Sequence, residues 1–430
     1  MNTQLIITLV AFFFVAFALL SGKVAPSVAS GLAICLLWVC GAISEQDVFS
    51  NFVSSNIIVM IGMMIVIAGL LKTSILSHIA GVLKRSKANN IRLLLVVGMI
   101  IPFFLCQFIG GVTSMITVLP LLIALASEMG ISPTVLVMPA SVGAQAGLLA
   151  LPIGGAAAMY MVKNQIAANV GCMEELGFWD LFATRMPGTI AIMIFVVLFG
   201  YKLLPERELA DTEALQHGPD VFRKSTLPKW KETAAYAIFF GSLFLMFFSR
   251  SWGIPMTLIA TVAAMLTGFL GILNEREMYN AVNWPLIFMM SFLLALATAL
   301  SNSGAGDLIA GWLSGVFGIG NTVVVVGIVF IVCALLTQFM DNTAIINIFT
   351  PIAIMACMQN NISALPVICA IDASCLVSYV TPLSSPSSLM AYNLGGYSIK
   401  EMVKFGAPLI VISAVVSIIW TPLYFSVFRG

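Results

Sequence analysis

Long apolar segments alternate with short polar connections along most of the 430-residue chain. A helix needs about 20 predominantly apolar residues to cross the hydrocarbon core of a bilayer. On this basis we predict ten spans, at 4–20, 26–42, 57–72, 132–165, 184–203, 235–249, 255–272, 285–301, 363–394 and 403–427. The predicted fold is therefore an all-α polytopic membrane protein.

Two further segments, 91–127 and 321–358, are equally apolar but are interrupted midway. Each is predicted to be a re-entrant hairpin, because irregular backbone at membrane depth is tolerated only where protein or a watery cavity satisfies it. The interrupting residues are Gln107, Gly110, Gly111 and Thr113 in the first segment, and Thr337, Gln338, Asp341, Asn342 and Thr343 in the second. Short amphipathic stretches at 74–85 and 303–316 precede the hairpins and are expected to lie along the membrane interface.

One long polar stretch, 205–231, divides the chain. We interpret it as a cytoplasmic linker between a first repeat, 1–204, and a second repeat, 232–430. Each repeat holds five predicted spans, and an odd number of crossings requires the second repeat to enter the membrane from the opposite side. The repeats are therefore predicted to be inverted. Each contains one hairpin and one span broken by proline, at 132–165 and 363–394.

Charge is scarce, since 60% of the residues are hydrophobic and 9% are charged, against about a quarter charged in ordinary soluble domains. The net charge is +1, and no basic patch suits nucleic acid. If both termini lie outside, all Lys and Arg residues except Lys163, Arg185, Arg250 and Arg429 fall in cytoplasmic loops. This bias follows the positive-inside rule and predicts a multi-pass protein of the cytoplasmic membrane in that orientation.

Motifs for enzymatic or metal chemistry are absent from the sequence. The eight cysteines lack the spacing of metal ligands, and seven of them lie in apolar stretches, which argues against zinc and disulfides. Gly-x-Ser-x-Gly and His-Glu-x-x-His motifs do not occur, so we do not expect an enzyme. A structural or assembly subunit would not explain polar interruptions at matched membrane depths. The sequence favours a transporter that needs no cofactor beyond a coupling ion.

The polar interruptions recur in both halves. At an offset of 231 residues, 106–112 aligns with 337–343 through a shared Gln-Phe pair, and the breaks near Pro152 and Pro382 correspond after one residue of slippage. Ser385, followed by proline, has the pattern of a helix N-cap.

Four helix N-termini, two at the hairpin tips and two at the breaks, are expected to converge on one cavity. Free N–H groups and helix dipoles favour an anion there, without any Lys or Arg near the middle of the membrane. The alternative is that the prolines and glycines only kink packed helices.

Three motifs resemble the divalent anion/sodium symporter family. The run Asp-Asn-Thr-Ala at 341–344, followed by Pro351, is similar to the family's Ser-Asn-Thr hairpin signature. Pro-Leu-Ser-Ser-Pro-Ser-Ser at 382–388 is similar to its Pro-x-Gly-Thr-Pro-Pro-Asn helix break, and Pro-Ile-Gly-Gly at 152–155 matches the start of the first-half copy. The resemblance covers nearly the whole chain. It implies a homodimer, an elevator-like movement of hairpins and broken helices, and sodium-coupled transport of dicarboxylate, citrate or sulfate.

The chain departs from the family pattern in its first half. Gly-Gly-Val at 110–112 stands in place of Ser-Asn-Thr, and Ala158 in place of an Asn. That half has therefore lost side-chain oxygens which, by the resemblance, help to hold sodium and the substrate carboxylate. Backbone carbonyls still suit a cation, so a first-half site stays open. The stronger cation site is expected in the second half, where Asp341 adds a negative charge.

The candidate ligands lie around the hairpin tips and the breaks. For the substrate they are Gly110, Gly111, Thr113, Pro152, Gly154, Gly155, Asn342, Thr343, Pro382, Ser384, Ser385 and Ser388. For a cation, with sodium the expected ion, they are Cys106, Gly111, Thr337, Asp341, Asn342 and Thr343. Asp341 and Asp372 are acids placed within the membrane and are candidates for proton coupling. The alternatives are helix capping by Asp341 and a structural hydrogen bond from Asp372 to a neighbouring helix.

The sequence therefore predicts a secondary active transporter for small organic or inorganic anions, with di- or tricarboxylates expected, coupled to sodium or protons. The alternative is a cation/proton exchanger or an arsenite-type permease of the same superfamily, which is favoured if the membrane acids bind the transported cation itself. The expected partners are the anionic substrate, the lipid bilayer and a second copy of the chain.

Overall fold

The computed structural model describes residues 3–21, 24–75, 90–148, 155–210, 225, 227–306, 308–309, 311, 320–339, 342–382 and 384–429. Within those ranges the chain is mostly helical and contains no β-strand, which confirms the all-α fold class. Three candidate residues, Pro152, Gly154 and Asp341, lie outside the described residues. So do most of the predicted interfacial stretch at 74–85 and half of that at 303–316.

The helices follow the same order in both halves. The first half contains α1 (Thr3–Ser21), α2 (Pro26–Val39), α3 (Glu45–Ser50), α4 (Ser55–Leu71), α5 (Ile91–Ile109), α6 (Gly111–Glu128), α7 (Thr134–Gly147), α8 (Gly155–Asn169) and α9 (Asp180–Leu198). The second contains α10 (Lys229–Trp252), α11 (Met256–Phe269), α12 (Glu275–Ala281), α13 (Trp284–Ser303), α14 (Thr322–Leu336), α15 (Asn342–Gln359), α16 (Ala364–Cys375), α17 (Pro386–Gly395) and α18 (Ile399–Phe428). Hairpins α5–α6 and α14–α15 are each followed by a broken pair, α7–α8 or α16–α17. The predicted spans and hairpins are thus found as helices or helix pairs.

Two short helices, α3 and α12, precede α4 and α13 where the sequence predicted only loops. Ser44 caps α3 by accepting from the Asp47 N–H at 3.1 Å. Asn274 and Glu277 form a reciprocal capping box at the start of α12. Such caps satisfy N–H groups that have no partner inside a helix, and this local pairing stabilises helices of about two turns in otherwise polar connections.

Helix length varies widely within the described ranges. Five segments are long and apolar enough to cross a membrane, namely Glu45–Leu71, Asp180–Leu198, Lys229–Ser249, Trp284–Ser303 and Ile399–Phe428. By contrast, α2 and α11 have 14 residues each. That corresponds to about 21 Å at 1.5 Å per residue, less than the ~30 Å hydrocarbon core. The protein is a helical membrane protein, while ten complete crossings stay a prediction.

Some helices of each half pack against helices of the other half. α2 packs against α13, and the corresponding α11 packs against α4. Glycine permits both approaches, since a Cβ at Gly31 would lie 3.1 Å from the Phe292 ring and one at Gly62 would lie 2.8 Å from the Ala260 carbonyl oxygen. Reciprocal contacts of this kind are expected of two repeats related by a two-fold axis. Their inversion relative to the membrane stays a prediction.

The first hairpin turns at a single residue. Gly110 ends α5 and caps α6 with a φ of +78°, a conformation that glycine adopts without steric cost. α5 lies directly on α7, because a Cβ at Gly143 or Gly147 would overlap the backbone of Met99 or Phe103. This close packing holds the hairpin tip at the end of α7.

Candidate functional site

Buried oxygen atoms meet where the second hairpin touches the broken span. Thr337 ends α14, Asn342 begins α15, and Ser378 follows α16. Ser378 Oγ lies 2.8 Å from Asn342 Oδ1 and 3.1 Å from Thr337 Oγ1. Thr337 Oγ1 also bonds Asn342 Oδ1 and lies 3.1 Å from the Cys375 carbonyl oxygen. We call these four oxygen atoms the second-half oxygen cluster. All three side chains are buried.

The second-half oxygen cluster has the chemistry of a cation site. Hydroxyl, amide and carbonyl oxygens are the ligands that hard cations prefer. The structure brings together Thr337 and Asn342, which the sequence selected, and adds Ser378 and the Cys375 carbonyl, which it missed. The only signal for Ser378 is its position between Asp372 and Pro382 in the broken span.

The carbonyl oxygen of Ser378 is the hub of the second break. It accepts from Ser388 Oγ at 2.7 Å, Gln145 Nε2 at 2.9 Å and Ser384 Oγ at 3.0 Å. The predicted ligands Ser384 and Ser388 therefore hold the break together, and Gln145 of α7 ties the first half to it. Ser385 accepts from the Ser388 N–H at 3.1 Å and is followed by proline, which confirms the predicted N-cap of α17.

The matched glutamines of the two hairpins have the same structural role. Gln107 Nε2 and Gln338 Nε2 each donate to the carbonyl four residues back in their own helix, at 3.2 and 2.8 Å. Each also donates to a carbonyl at the end of the facing broken helix, that of Gly147 or Val377. Gln338 Oε1 further accepts from the Val380 N–H at 3.1 Å. The repeated Gln-Phe pair thus locks each hairpin to its break.

The first hairpin tip presents mainly backbone. Gly110 faces open space, and a Cβ at Gly111 would lie 3.4 Å from Ser387 Oγ, so the N-terminus of α6 lies beside that of α17. Cys106, a predicted cation ligand, is buried. Its thiol bonds a carbonyl of its own helix and its carbonyl accepts from the Gly110 N–H at 3.3 Å. The carbonyl of Thr113 likewise accepts a hydrogen bond from a hydroxyl of its own helix, that of Thr117.

The remaining candidates within the described residues lie at the helix ends that frame the site. Gly155 begins α8, Thr343 lies in the first turn of α15 beside Asn342, and Pro382 lies between α16 and α17. Their predicted contacts with substrate or cation stay predictions.

Two basic side chains are buried near the breaks, which contradicts the prediction that no Lys or Arg lies near the middle of the membrane. Lys163 of α8 is 2% exposed and Arg185 of α9 is 5% exposed. The sequence placed both at the outer ends of spans. In the structure α9 begins at Asp180, so Arg185 lies more than a turn inside the helix. Both side chains can be buried because groups from other helices compensate their charges.

Asp372 is the partner of Lys163. The Lys163 Nζ and Asp372 Oδ1 atoms are 2.6 Å apart, and Asp372 is 5% exposed on α16. Of the alternatives open for Asp372, the structure favours a buried interaction with a neighbouring helix, here a full ion pair between the two halves. A proton-coupling role stays a prediction. Charged groups at such depth are costly unless paired and are commonly functional.

Arg185 is compensated by carbonyl groups instead. Its guanidinium donates to the carbonyls of Ala146 at 2.6 Å, Leu148 at 2.7 Å and Gln145 at 3.2 Å, at the end of α7. Together, Lys163, Arg185 and Asp372 give the described core around the breaks one excess positive charge, and this environment favours an anion.

Two hairpins facing two broken helices, with buried charges and oxygen atoms at the breaks, define a class of polytopic helical membrane protein. The chain belongs to the citrate transporter family, CitMHS, whose family model matches residues 12–371. This agrees with the resemblance that the sequence motifs carry.

Several curated relatives of the chain are named as transporters. The sodium-dependent dicarboxylate transporter SdcS of Staphylococcus saprophyticus is 21% identical over 90% of this chain and 80% of its own length. The L-tartrate/succinate antiporter of Escherichia coli K12 is 26% identical over 58% of this chain and 52% of its own. With two further relatives, both uncharacterised transporters, the match spans only 28% and 26% of their length.

Among solved structures, the YdaH transporter of Alcanivorax borkumensis has a similar fold. Its TM-score is 0.63 at 15% sequence identity, and the match covers 98% of each chain. At this identity the likeness shows the fold alone.

Proposed function

We propose that this chain is a secondary active transporter of small di- or tricarboxylates that couples their movement to sodium or protons. The observation that carries the proposal is the oxygen cluster at the second hairpin tip, beside the excess positive charge that the described residues Lys163, Arg185 and Asp372 bury around the breaks. The cluster suits a coupling cation, and the charge suits an anion. The citrate transporter family and the dicarboxylate and tartrate/succinate carriers among the relatives support this substrate class.

The substrate carboxylate is proposed to bind between the N-termini of α6 and α17. These ends meet at Gly111 and Ser387. Free N–H groups and the positive ends of two helix dipoles favour a carboxylate there. Ser387 is buried, and its hydroxyl lies 3.3 Å from that of Ser385, so both hydroxyls are within reach of the same ligand.

Sodium is proposed to bind at the second-half oxygen cluster. There it would replace the hydrogen bonds that Thr337 and Ser378 donate to Asn342 with metal–oxygen contacts. Because those hydrogen bonds join the hairpin tip to the end of α16, the bound ion would also fix the tip beside the anion site. This is a direct physical route from cation binding to substrate binding.

Proton coupling is the second candidate, and the Lys163–Asp372 pair favours it. Protonation of Asp372 would break the ion pair and free the charge of Lys163 between the two halves. Asp372→Asn resembles the protonated state. If this candidate is right, the variant loses pH-driven net uptake and retains exchange of substrate for substrate.

An elevator-like movement in a homodimer is proposed from the family resemblance, and the outside position of both termini is proposed from the bias of Lys and Arg residues towards the cytoplasmic loops. Inverted repeats require the tips at 106–113 and 337–344 to open towards opposite sides of the membrane. Single cysteines in a Cys-free background, labelled with an impermeant reagent from each side, test this. Labelling of both tips from one side only would exclude the inversion.

The transport experiment uses purified protein in proteoliposomes. Uptake of radiolabelled citrate, succinate, tartrate and sulfate is measured with an inward sodium gradient, with choline in its place, and with a pH gradient alone. We expect uptake of at least one carboxylate to depend on one of the two gradients. Protein-dependent uptake of none of them, from a preparation that is folded by its unfolding profile, would refute the proposal.

A further inference from the structure

Carbonyl groups cluster at the C-terminal end of α7, where the last turn of a helix has no further N–H groups of its own to satisfy them. Among the described residues, the Gln145 carbonyl accepts from the Leu148 N–H at 3.1 Å. Two nitrogen atoms of Arg185 reach three of them, those of Gln145, Ala146 and Leu148, at 2.6–3.2 Å. Gln107 donates to the fourth, that of Gly147. The carbonyl oxygens thus converge on a single cationic group that enters from a different helix, α9.

At the corresponding end in the second half, the described residues place no cationic side chain. Among them, the carbonyls of Cys375, Val377 and Ser378 at the end of α16 accept from neutral hydroxyl and amide groups. At the offset of 231 that aligns the hairpins, Arg185 corresponds to Val416. Among the described residues, the two corresponding carbonyl clusters therefore differ in charge, because a cationic side chain fills the first and neutral groups fill the second.

No carboxylate pairs with Arg185 among the described residues. The ion pairs there are Lys72–Glu277, Lys163–Asp372, Arg207–Glu401 and Arg429–Asp180. Asp372 lies within electrostatic range of Arg185 but forms its ion pair with Lys163. Arg185 is 5% exposed, so the negative end of the α7 dipole and the carbonyl oxygens there supply the compensation. The carbonyl oxygens are thus arranged as they would be around a bound monovalent cation, and here the cation is the guanidinium group of Arg185.

We propose that Arg185 is an internal cation which permanently fills a monovalent-cation site at the first-half break. This inference rests on the proposed function in one respect, namely that the second-half oxygen cluster holds the exchangeable coupling ion. The first half then contributes the fixed positive charge of Arg185, and the second half binds the exchangeable coupling ion. Arg185→Ala empties the site and turns it into one that a free guanidinium ion can enter.

The first test measures the unfolding temperature, Tm, in detergent and needs no substrate. We expect Arg185→Ala and Arg185→Gln to lower the Tm, and millimolar guanidinium chloride to restore most of the loss in Arg185→Ala, because a ligand that binds only the folded state stabilises it. Urea, which is neutral and has nearly the same shape, and choline chloride at equal ionic strength should not restore it. The wild type should show no stabilisation by guanidinium.

Arg207→Ala is the matched control. Arg207 also donates to the carbonyls at the C-terminal end of a helix, those of Gly395 and Gly396 at the end of α17. Unlike Arg185, its side chain is 39% exposed and pairs with Glu401. Guanidinium should not stabilise this variant, because at such an exposed position solvent can satisfy those carbonyls once the Arg207 side chain is removed. Equal restoration of Arg185→Ala by urea and guanidinium, no restoration by guanidinium, or a wild-type Tm in Arg185→Gln would overturn the proposal.

The second test is uptake of whichever labelled carboxylate the wild type accumulates. Arg185→Ala should transport at least tenfold more slowly, and guanidinium, unlike urea, should increase its rate with a saturable concentration dependence. Tm restoration without any effect of guanidinium on uptake would overturn the role of the charge in transport. If the wild type itself transports none of the anions, the proposed function fails, while the Tm test still decides whether the first-half break is a cation site.

Discussion

The two helix breaks share a backbone arrangement and differ in the charge at their ends. In each, a hairpin glutamine bonds a carbonyl at the end of the broken helix. Around this common frame the second break assembles hydroxyl groups and an amide, whereas the first receives the guanidinium of Arg185. Hydrogen bonds to the backbone can therefore preserve a repeated fold while one side chain from another helix changes the electrostatic character of one copy.

The Lys163–Asp372 pair joins the two breaks, and its disruption should have the largest effect. Lys163→Met should lower the free energy of unfolding by about 3–5 kcal/mol, because it leaves a buried carboxylate without its partner. Unfolding in mixed detergent micelles measures this. Lys72→Met is the control, since Lys72 and Glu277 are each about one-third exposed and such pairs contribute about 1 kcal/mol or less. Similar losses in both variants would contradict a special role for the buried pair.

The two hairpin glutamines allow a direct comparison of the breaks. Gln338→Leu should destabilise the protein more than Gln107→Leu, by about 1–3 kcal/mol, because it also leaves the Val380 N–H without its acceptor. Gln107 Oε1 has no hydrogen-bond partner among the described atoms. The same unfolding measurement applies to both variants. A larger loss for Gln107→Leu would show that the first break is the more tightly held.

The asymmetry in cation binding should appear in sodium dependence. Thr337→Val removes one oxygen of the second-half cluster and should raise the sodium concentration for half-maximal uptake about tenfold, which corresponds to about 1.4 kcal/mol. Ser114→Ala is the first-half control, because that hydroxyl bonds the Gly111 carbonyl at 2.7 Å. We expect little change in sodium dependence there. The reverse ranking, at equal protein in the liposomes, would remove the assignment of the cation site to the second half.

The smallest effect is expected far from both breaks, at Glu277. The hydrogen bond from Lys72 and that from the Asn274 backbone lower the pKa of the Glu277 carboxyl below its ordinary value. A carboxyl group whose pKa is lower in the folded than in the unfolded state stabilises the protein at pH values above its unfolded-state pKa of about 4.3. This stabilisation is lost as the pH falls through the folded-state pKa. Glu277→Gln should therefore cost less than about 1 kcal/mol at pH 7, and the difference from wild type should vanish once the pH is below the lowered pKa of the folded state. A difference that persists at low pH would point to a packing effect instead.

Features that depend on neighbouring residues were predictable from the sequence. The hairpin segments, the broken spans and the N-cap at Ser385 follow from runs of apolar residues interrupted by glycine, proline or serine. These patterns act within one or two helical turns, because an apolar run of given length partitions into the bilayer and a serine before proline caps a helix regardless of the rest of the chain. Thr337 and Asn342 were found together for the same reason, since both flank one hairpin tip.

What only the tertiary structure decided is where charges and long-range partners lie. Lys163 and Asp372 are 209 residues apart, and Gln145 reaches Ser378 across 233. From the sequence, Arg185 is predicted to lie at the membrane interface near the start of a span. In the structure it lies beside the C-terminal end of α7 and donates to the carbonyl of Leu148. A charge can be buried only when another helix brings a counter-charge or free carbonyl groups to it. That condition depends on the packing of distant segments, so hydropathy and charge counting placed Lys163 and Arg185 at the membrane surface, whereas the fold places them at the site.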